Sequence, residues 1–402
     1  MVENRSRPQS LPWLTVLRYP AAVWVIVYHC LGTTHAELGE ASLSGSLFNT
    51  FLERGFLGVS FFFVLSGFIL AWNYPQITRP ADYLSARAAR ILPVYYLSLA
   101  FAVPLMIKQV IGEGFYWAFL PKLLLVLTLT QSWIPSVPRI WNGPAWTLSC
   151  EAFFYISLIF TLPFVTRTLA GRPISRTMLA VVALWVVGLI LPAVFCWRFG
   201  GDLNVSALDG NHVSKAESYA MLIIEKFPLV RVVEFLGGVA VCVGTRKWIP
   251  ALRLRNSVTL VLVGVAWIAT SCFLPFIFSM GTWCFPGFAC VIVGAAALPA
   301  PAESRVFRFA GLLGNASYSV YLLHFSVRDY LTLLYKYTAG ITALSGPVFL
   351  LALFIATTCV TTAAGILIFL RYEEPMRIHL KNYLSRFTIP FPAVQAVASI
   401  AS

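Results

Sequence analysis

Six side chains in this sequence can carry acid–base or anion-binding chemistry from inside apolar stretches: Arg18, His29, Arg87, Arg90, Glu151 and His324. Arg18 and His29 lie eleven positions apart in LTVLRYPAAVWVIVYHC. At 3.6 residues per turn that is about three turns, so both fall on one helix face, about 16 Å apart along the axis. An arginine sunk in an apolar span costs about 2.5–3.5 kcal/mol on insertion scales, and crossing a bilayer does not require one. Arg87 and Arg90 are three apart and share a face. Guanidinium groups bind phosphate through paired hydrogen bonds, so three of them suit a polyanion. A histidine with a carboxylate nearby suits proton abstraction. The set predicts a phosphorylated donor held by arginines and reacting at His29 with something reached from the other side.

The elements that must position these residues are membrane helices. The chain has 402 residues, 59% hydrophobic and 11% charged, with a mean hydropathy of +0.79. Soluble domains carry about a quarter charged residues. Strand-scale alternation is absent, which argues against an outer-membrane barrel. The expected fold class is all-α, a polytopic transmembrane helical bundle. Ten segments are long and apolar enough to cross: 13–32, 56–74, 88–110, 145–165, 177–197, 228–245, 257–275, 283–299, 316–335 and 346–370. A further apolar piece at 119–133 is short and contains Pro121 and Lys122.

Loop charge decides how that piece is used. If it does not cross, Arg79, Arg87 and Arg90, then Arg167, Arg172 and Arg176, then Arg246, Lys247, Arg253 and Arg255, then Arg305 and Arg308 all fall on one side with the termini. Glu37, Glu40 and Glu53 fall on the other. The positive-inside rule favours this arrangement. It predicts about ten spans, both termini cytoplasmic, and a re-entrant or interfacial segment near 115–145, allowed at membrane depth where it lines a cavity. Residues 1–380 then form one integral-membrane domain and 381–402 a cytoplasmic tail. The net charge of +13 is topology, not a nucleic-acid footprint. The eight cysteines are mostly inside apolar segments and show no CxxC or zinc spacing. Arg5 and Arg7 precede the first apolar stretch, which is read as a retained span because it holds Arg18 and His29.

Each residue also has a plain structural reading. Arg87 and Arg90 fit topology signals, and Arg18 fits a snorkelling side chain. His29 and His324 fit hydrogen-bonded core histidines. Ser66-Gly67 fits close helix packing. Trp146, Tyr28 and Tyr321 fit interface or packing aromatics. A lone carboxylate such as Glu151 within a span is hardest to explain this way. The joint occurrence carries the inference.

Six segments, in order, resemble the motifs of the membrane-bound acyltransferase-3 family: Arg18-x10-His29; Gly58-Val59-Ser60-Phe61-Phe62-Phe63-Val64-Leu65-Ser66-Gly67-Phe68; Arg87-Ala88-Ala89-Arg90-Ile91-Leu92-Pro93; Trp146-Thr147-Leu148-Ser149-Cys150-Glu151; Ser317-Tyr318-Ser319-Val320-Tyr321-Leu322-Leu323-His324; and Glu374-Pro375. They run from 18 to 375, nearly the whole chain. Tyr19-Pro20 departs from the glycine more usual after the arginine, and Cys150 replaces a small aliphatic residue.

The resemblance implies an acyl-CoA-dependent O-acyltransferase that moves an acyl group, acetyl first of all, to a sugar hydroxyl of a surface glycan or glycolipid. It implies acyl-CoA as donor substrate with no tightly bound cofactor or metal, and membrane lipid around the chain. The implied location is a bacterial inner membrane. Arg18, Arg87 and Arg90 are the implied donor-binding residues, and His29 and Glu151 the catalytic ones. His29 would be a general base, or in a second variant an acyl carrier. Glu151 would orient His29 or the acceptor. His324, Tyr321, Trp146 and Ser66 would line the acceptor side or the oxyanion site. Rival readings are a glycan transporter or flippase, a succinyl donor, and a small-molecule acceptor. The outer loops 33–55 and 198–227 are expected to shape acceptor choice. Oligomeric state is left open.

Overall fold

The computed structural model describes residues 11–33, 51–52, 54–113, 116–134, 137, 140–199, 222–274, 282–299, 304–338 and 346–385. Glu37, Glu40, Glu53, Arg5, Arg7, most of the 198–227 loop and the tail beyond Ser385 lie outside them. Among the described residues every regular element is helical. In chain order they are α1 (Pro12–Val16), α2 (Arg18–Val27), α3 (Leu57–Asn73), α4 (Pro80–Phe101), α5 (Val103–Glu113), α6 (Tyr116–Leu127), α7 (Trp146–Leu169), α8 (Ile174–Phe199), α9 (Pro228–Thr245), α10 (Leu254–Ala269), α11 (Phe285–Ala297), α12 (Arg305–Thr338), α13 (Gly346–Ile368) and α14 (Glu374–Ser385).

Among the described residues seven helices are long and apolar enough to cross a membrane, or eight if α4 and α5, bent by 54° past Phe101, count as one span. The expectation of about ten is therefore not met by length and composition. The two remaining segments are helices of another kind. α11 has only 13 residues, and α12 has 34 but is too polar to pass. The outer surface is apolar, with Phe160, Phe164, Leu179 and Leu262 standing exposed. A soluble monomer rarely presents so much apolar surface, whereas a lipid-facing one must.

Small residues set the helix spacing. α3 and α9 cross where Gly67 meets Gly238. A Cβ on Gly67 would run into the Phe235 carbonyl oxygen, and one on Gly238 into the Val64 carbonyl oxygen. Close backbone approach of this kind is how helices associate in lipid. Glycine 67 is thus a packing residue, while its neighbour Ser66 turns to a cavity.

Between α6 and α7 the described backbone is irregular, with positive φ at Leu129 and Trp141. Gln131, Ser132 and Asn142 in it are buried and tied down. Gln131 Nε2 donates to Ala145 O (3.0 Å), Ser132 Oγ to Trp146 O (2.8 Å), and Asn142 Nδ2 to Ser98 Oγ (3.0 Å) and Leu322 O (3.1 Å). Non-helical backbone in an apolar surround needs such partners. This segment docks on α12 and delivers the start of α7, so it fixes Thr147, Leu148 and Glu151 relative to Tyr321. α14 runs past the expected boundary at 381, as a regular helix to Ser385.

Candidate active site

One cavity gathers most of the residues singled out from the sequence. Arg18 from α2, Ser66 from α3, Arg87 and Arg90 from α4, Glu151 from α7 and Tyr321 from α12 all line it. Phe62, Phe63, Leu65 and Ile69 supply its apolar wall. Three guanidinium groups thus face a single lining carboxylate.

The partners of these groups fix their directions. Tyr155, one turn along α7, donates to Glu151 Oε2 at 2.6 Å. Arg87 Nη2 donates to Tyr74 Oη at 3.3 Å, and its guanidinium lies 5.4 Å from the Tyr74 ring centroid. Arg90 Nη1 lies 2.7 Å from Glu373 Oε1, and Ser319 Oγ donates to Glu373 Oε2 at 2.7 Å. Tyr318 brings its ring to the Arg90 guanidinium and its hydroxyl to Ile91 O (2.9 Å). Glu373 is one residue that the sequence reading missed. Attention there fell on Glu374-Pro375, yet Glu374 pairs with Arg377 on its own helix. A π-helical turn, Phe369–Glu373, turns the preceding carboxylate inward.

His29 and His324 stand beyond Tyr321 and do not line this cavity. α2 gives way to a π-helical turn, Tyr28–Thr33. α2 is regular from Arg18 to Val27, and the π-turn takes over at Tyr28, one residue before His29. Such turns recur at functional sites because they re-aim a side chain. In this turn His29 Nδ1 lies 3.0 Å from Val25 O and 3.1 Å from His324 Nε2. His324, fully buried, places its Nδ1 2.5 Å from Tyr321 O. Arg328, one turn after His324, donates to His29 O at 3.1 Å and pairs with Asp329. His29 itself is half-buried.

Glu151 and His29 thus belong to two ends of the site. The carboxylate takes its hydrogen bond from Tyr155, and the His29 ring faces a second imidazole. Tyr321 is common to both ends: its ring lines the cavity and its carbonyl holds His324. Trp146 lies behind the cavity wall, edge-on to Phe63 with ring centroids 6.1 Å apart and with Lys226 Nζ 5.9 Å from its ring. Lys226 is buried beside Glu225 at 3.2 Å.

A second buried ion pair was also missed. Arg231 and Glu234 of α9 lie 2.9 Å apart, with Ser60 Oγ 2.8 Å from Arg231 Nη2. Opposite charges three apart inside an apolar segment are legible by the same rule that picked out Arg87 and Arg90. Among the described residues no cluster of histidine, cysteine and carboxylate groups suits a metal ion.

A family model described as an acyltransferase domain, acyltransferase 3, matches residues 11–366. Acyltransferase MdmB of Streptomyces mycarofaciens is 30% identical over 342 residues, covering 81% of this chain and 80% of that protein. Exopolysaccharide production protein ExoZ of Rhizobium meliloti (strain 1021) is 28% identical over 282 residues, covering 67% of this chain and 75% of that protein. No solved structure gives a significant match.

Proposed function

The chain belongs to the acyltransferase-3 family of membrane acyltransferases, and from that premise we propose that it transfers an acetyl group from acetyl-CoA to a sugar hydroxyl of a surface glycan or glycolipid. The observation that carries this reading is the cavity where three guanidinium groups from two helices converge inside an apolar bundle, with an imidazole pair just past its far wall. A coenzyme A thioester is a polyanion with a long, weakly polar arm. The arginines would take its phosphates, and the apolar wall from Phe62 to Ile69 its arm and acyl end. The basic loops support a cavity reached from the cytoplasmic side, where acyl-CoA is made. The name of ExoZ supports a polysaccharide-related acceptor.

In the proposed reaction His29 takes the proton of an acceptor hydroxyl as its oxygen attacks the thioester carbonyl. The tetrahedral intermediate collapses, the C–S bond breaks, and the coenzyme thiolate leaves and recovers a proton from the imidazolium. Tyr321, whose hydroxyl donates to Pro144 O at 3.4 Å, would turn it to the developing oxyanion, and Ser66 lines the same cavity. Glu151, hydrogen-bonded by Tyr155, orders the arginines and offsets part of their mutual repulsion. Arg18 is a binding group, since it lies three turns from His29. No resident cofactor enters the scheme.

The test uses protein purified in detergent with labelled acetyl-CoA and a polysaccharide extract as acceptor. Wild-type protein should release coenzyme A thiol and label the extract. His29→Ala should lower transfer by about 10²–10⁴-fold while still binding coenzyme A. Near-normal transfer by that variant would remove His29 from the chemistry, and a wild type that labels nothing in a CoA-dependent way would end the reading.

A further inference from the structure

Three phenylalanines stand in a row on α3, and they do different things. Phe61 is buried, its ring 5.7 Å from that of Phe288, and Phe63 is buried edge-on to Phe154 at 5.1 Å. Phe62, between them, is half-buried and lines the cavity. Its ring meets the Tyr321 ring at 6.1 Å, and the Tyr321 ring in turn lies 5.6 Å from that of His324. The cavity follows one stripe of α3 through Ile69, Ser66, Phe62 and Val59, spaced at three and four residues. Tyr74, one turn past Leu70, takes the hydrogen bond of Arg87. Twelve residues separate Tyr74 from Phe62, about 18 Å along a helix axis. A donor whose phosphates rest at Arg87 and whose arm extends along this stripe therefore ends against the Phe62 ring.

We infer that Phe62 sets the length of the acyl group: its ring is the stop on which the end of the chain rests, so that a short acyl group leaves the thioester carbonyl level with Tyr321 and a longer one holds it back. The inference rests on the proposed acyl-CoA donor and names the residue that selects among such donors. A stop must sit on a wall that does not yield. One turn before Phe62, a Cβ on Gly58 would strike the Ala21 carbonyl oxygen, so α3 is seated directly on the backbone of α2 there. The neighbours Phe61 and Phe63 are wedged into the bundle on either side of it. A reacting atom misplaced by about 1 Å can cost 10²-fold in rate, and one methylene in an apolar pocket is worth about 10–200-fold in discrimination. A single fixed ring is therefore enough to separate acetyl from its longer homologues.

The experiment uses the full chain in detergent and two unreactive thioethers, S-ethyl-CoA and S-butyl-CoA, titrated by calorimetry. Wild-type protein should bind the ethyl compound about tenfold or more tightly than the butyl compound, and Phe62→Ala should bring the two within about threefold of each other. Phe62→Leu should fall between. Transfer from acetyl-CoA and butyryl-CoA to a polysaccharide extract should follow the same order in kcat/KM. A variant that merely loosened the bundle would weaken both ligands alike and leave their ratio untouched, so the ratio is the readout. Equal affinity of wild type for both thioethers overturns the inference, and so does a ratio that neither variant changes. If Phe62→Ala does not fold, Phe62→Leu and the wild-type pair still decide. Wild-type protein that binds neither thioether and transfers from neither donor would sink the donor reading itself, which separates that failure from a misassigned Phe62.

Discussion

At the arginine end of the site, three guanidinium groups share a cavity with one lining carboxylate, and their directions are set by side chains from several helices. At the histidine end, two imidazole rings are held by each other and by the carbonyl oxygens of Val25 and Tyr321. The first end carries an excess of positive charge, which under the proposed function an incoming anion would balance. The second is a matter of direction, since a hydrogen bond specifies which nitrogen carries a proton but brings no net charge. Damage at the arginine end should therefore appear in donor binding, and damage at the histidine end in turnover.

The most forceful way to break this contrast is Arg87→Ala with Arg90→Ala. Hydrogen bonds to charged groups are worth about 1.5–3 kcal/mol each, so the donor Kd should rise by about 10²-fold or more while kcat at saturation changes far less. Coenzyme A titration and steady-state kinetics on the same preparation check both halves. An unchanged Kd would leave these arginines as topology signals alone.

Glu373→Gln sharpens the contrast. It removes the charge opposite Arg90 but keeps shape and hydrogen-bonding capacity. Losing one partner of a largely buried ion pair is costly, here about 1–3 kcal/mol because the Arg90 side chain is one quarter exposed. The empty variant should melt at lower temperature, and added coenzyme A should protect it more than it protects wild type. Equal melting curves with and without ligand in both proteins would separate Glu373 from donor binding. The gentlest probe is ionic strength. Raising it from about 0.01 to 0.15 M shortens the Debye length from about 30 to 8 Å. KM for the donor should climb several-fold, with kcat almost flat.

Much of this site was legible because lipid makes ionisable residues conspicuous. Arg18, Arg87, Arg90 and Glu151 stood out by depth in apolar segments, and they do share a cavity. Glu373 was not legible, because its direction depends on a π-turn that no residue pattern announced, and the neighbouring Glu374-Pro375 drew attention instead. The placement of His29 was half legible. Its presence in the first span was plain, but the π-turn at Tyr28–Thr33 that carries it was not. Its partner across the bundle is 295 positions away, a distance over which periodicity is silent. The fold behaved similarly. Long apolar helices were found where expected, while α11 and α12, one short and one polar, are elements that hydropathy alone does not carry across a bilayer.

The crossing of α3 and α9 at Gly67 and Gly238 has a mechanical corollary. With no side chains between the two backbones, that seam has nothing left to compress and cannot slide without collision. The wall bearing Ser66 is thus a fixed abutment, and any widening of the cavity would fall to its other helices, among them the helix of Arg87 and Arg90, whose chain bends by 54° beyond Phe101.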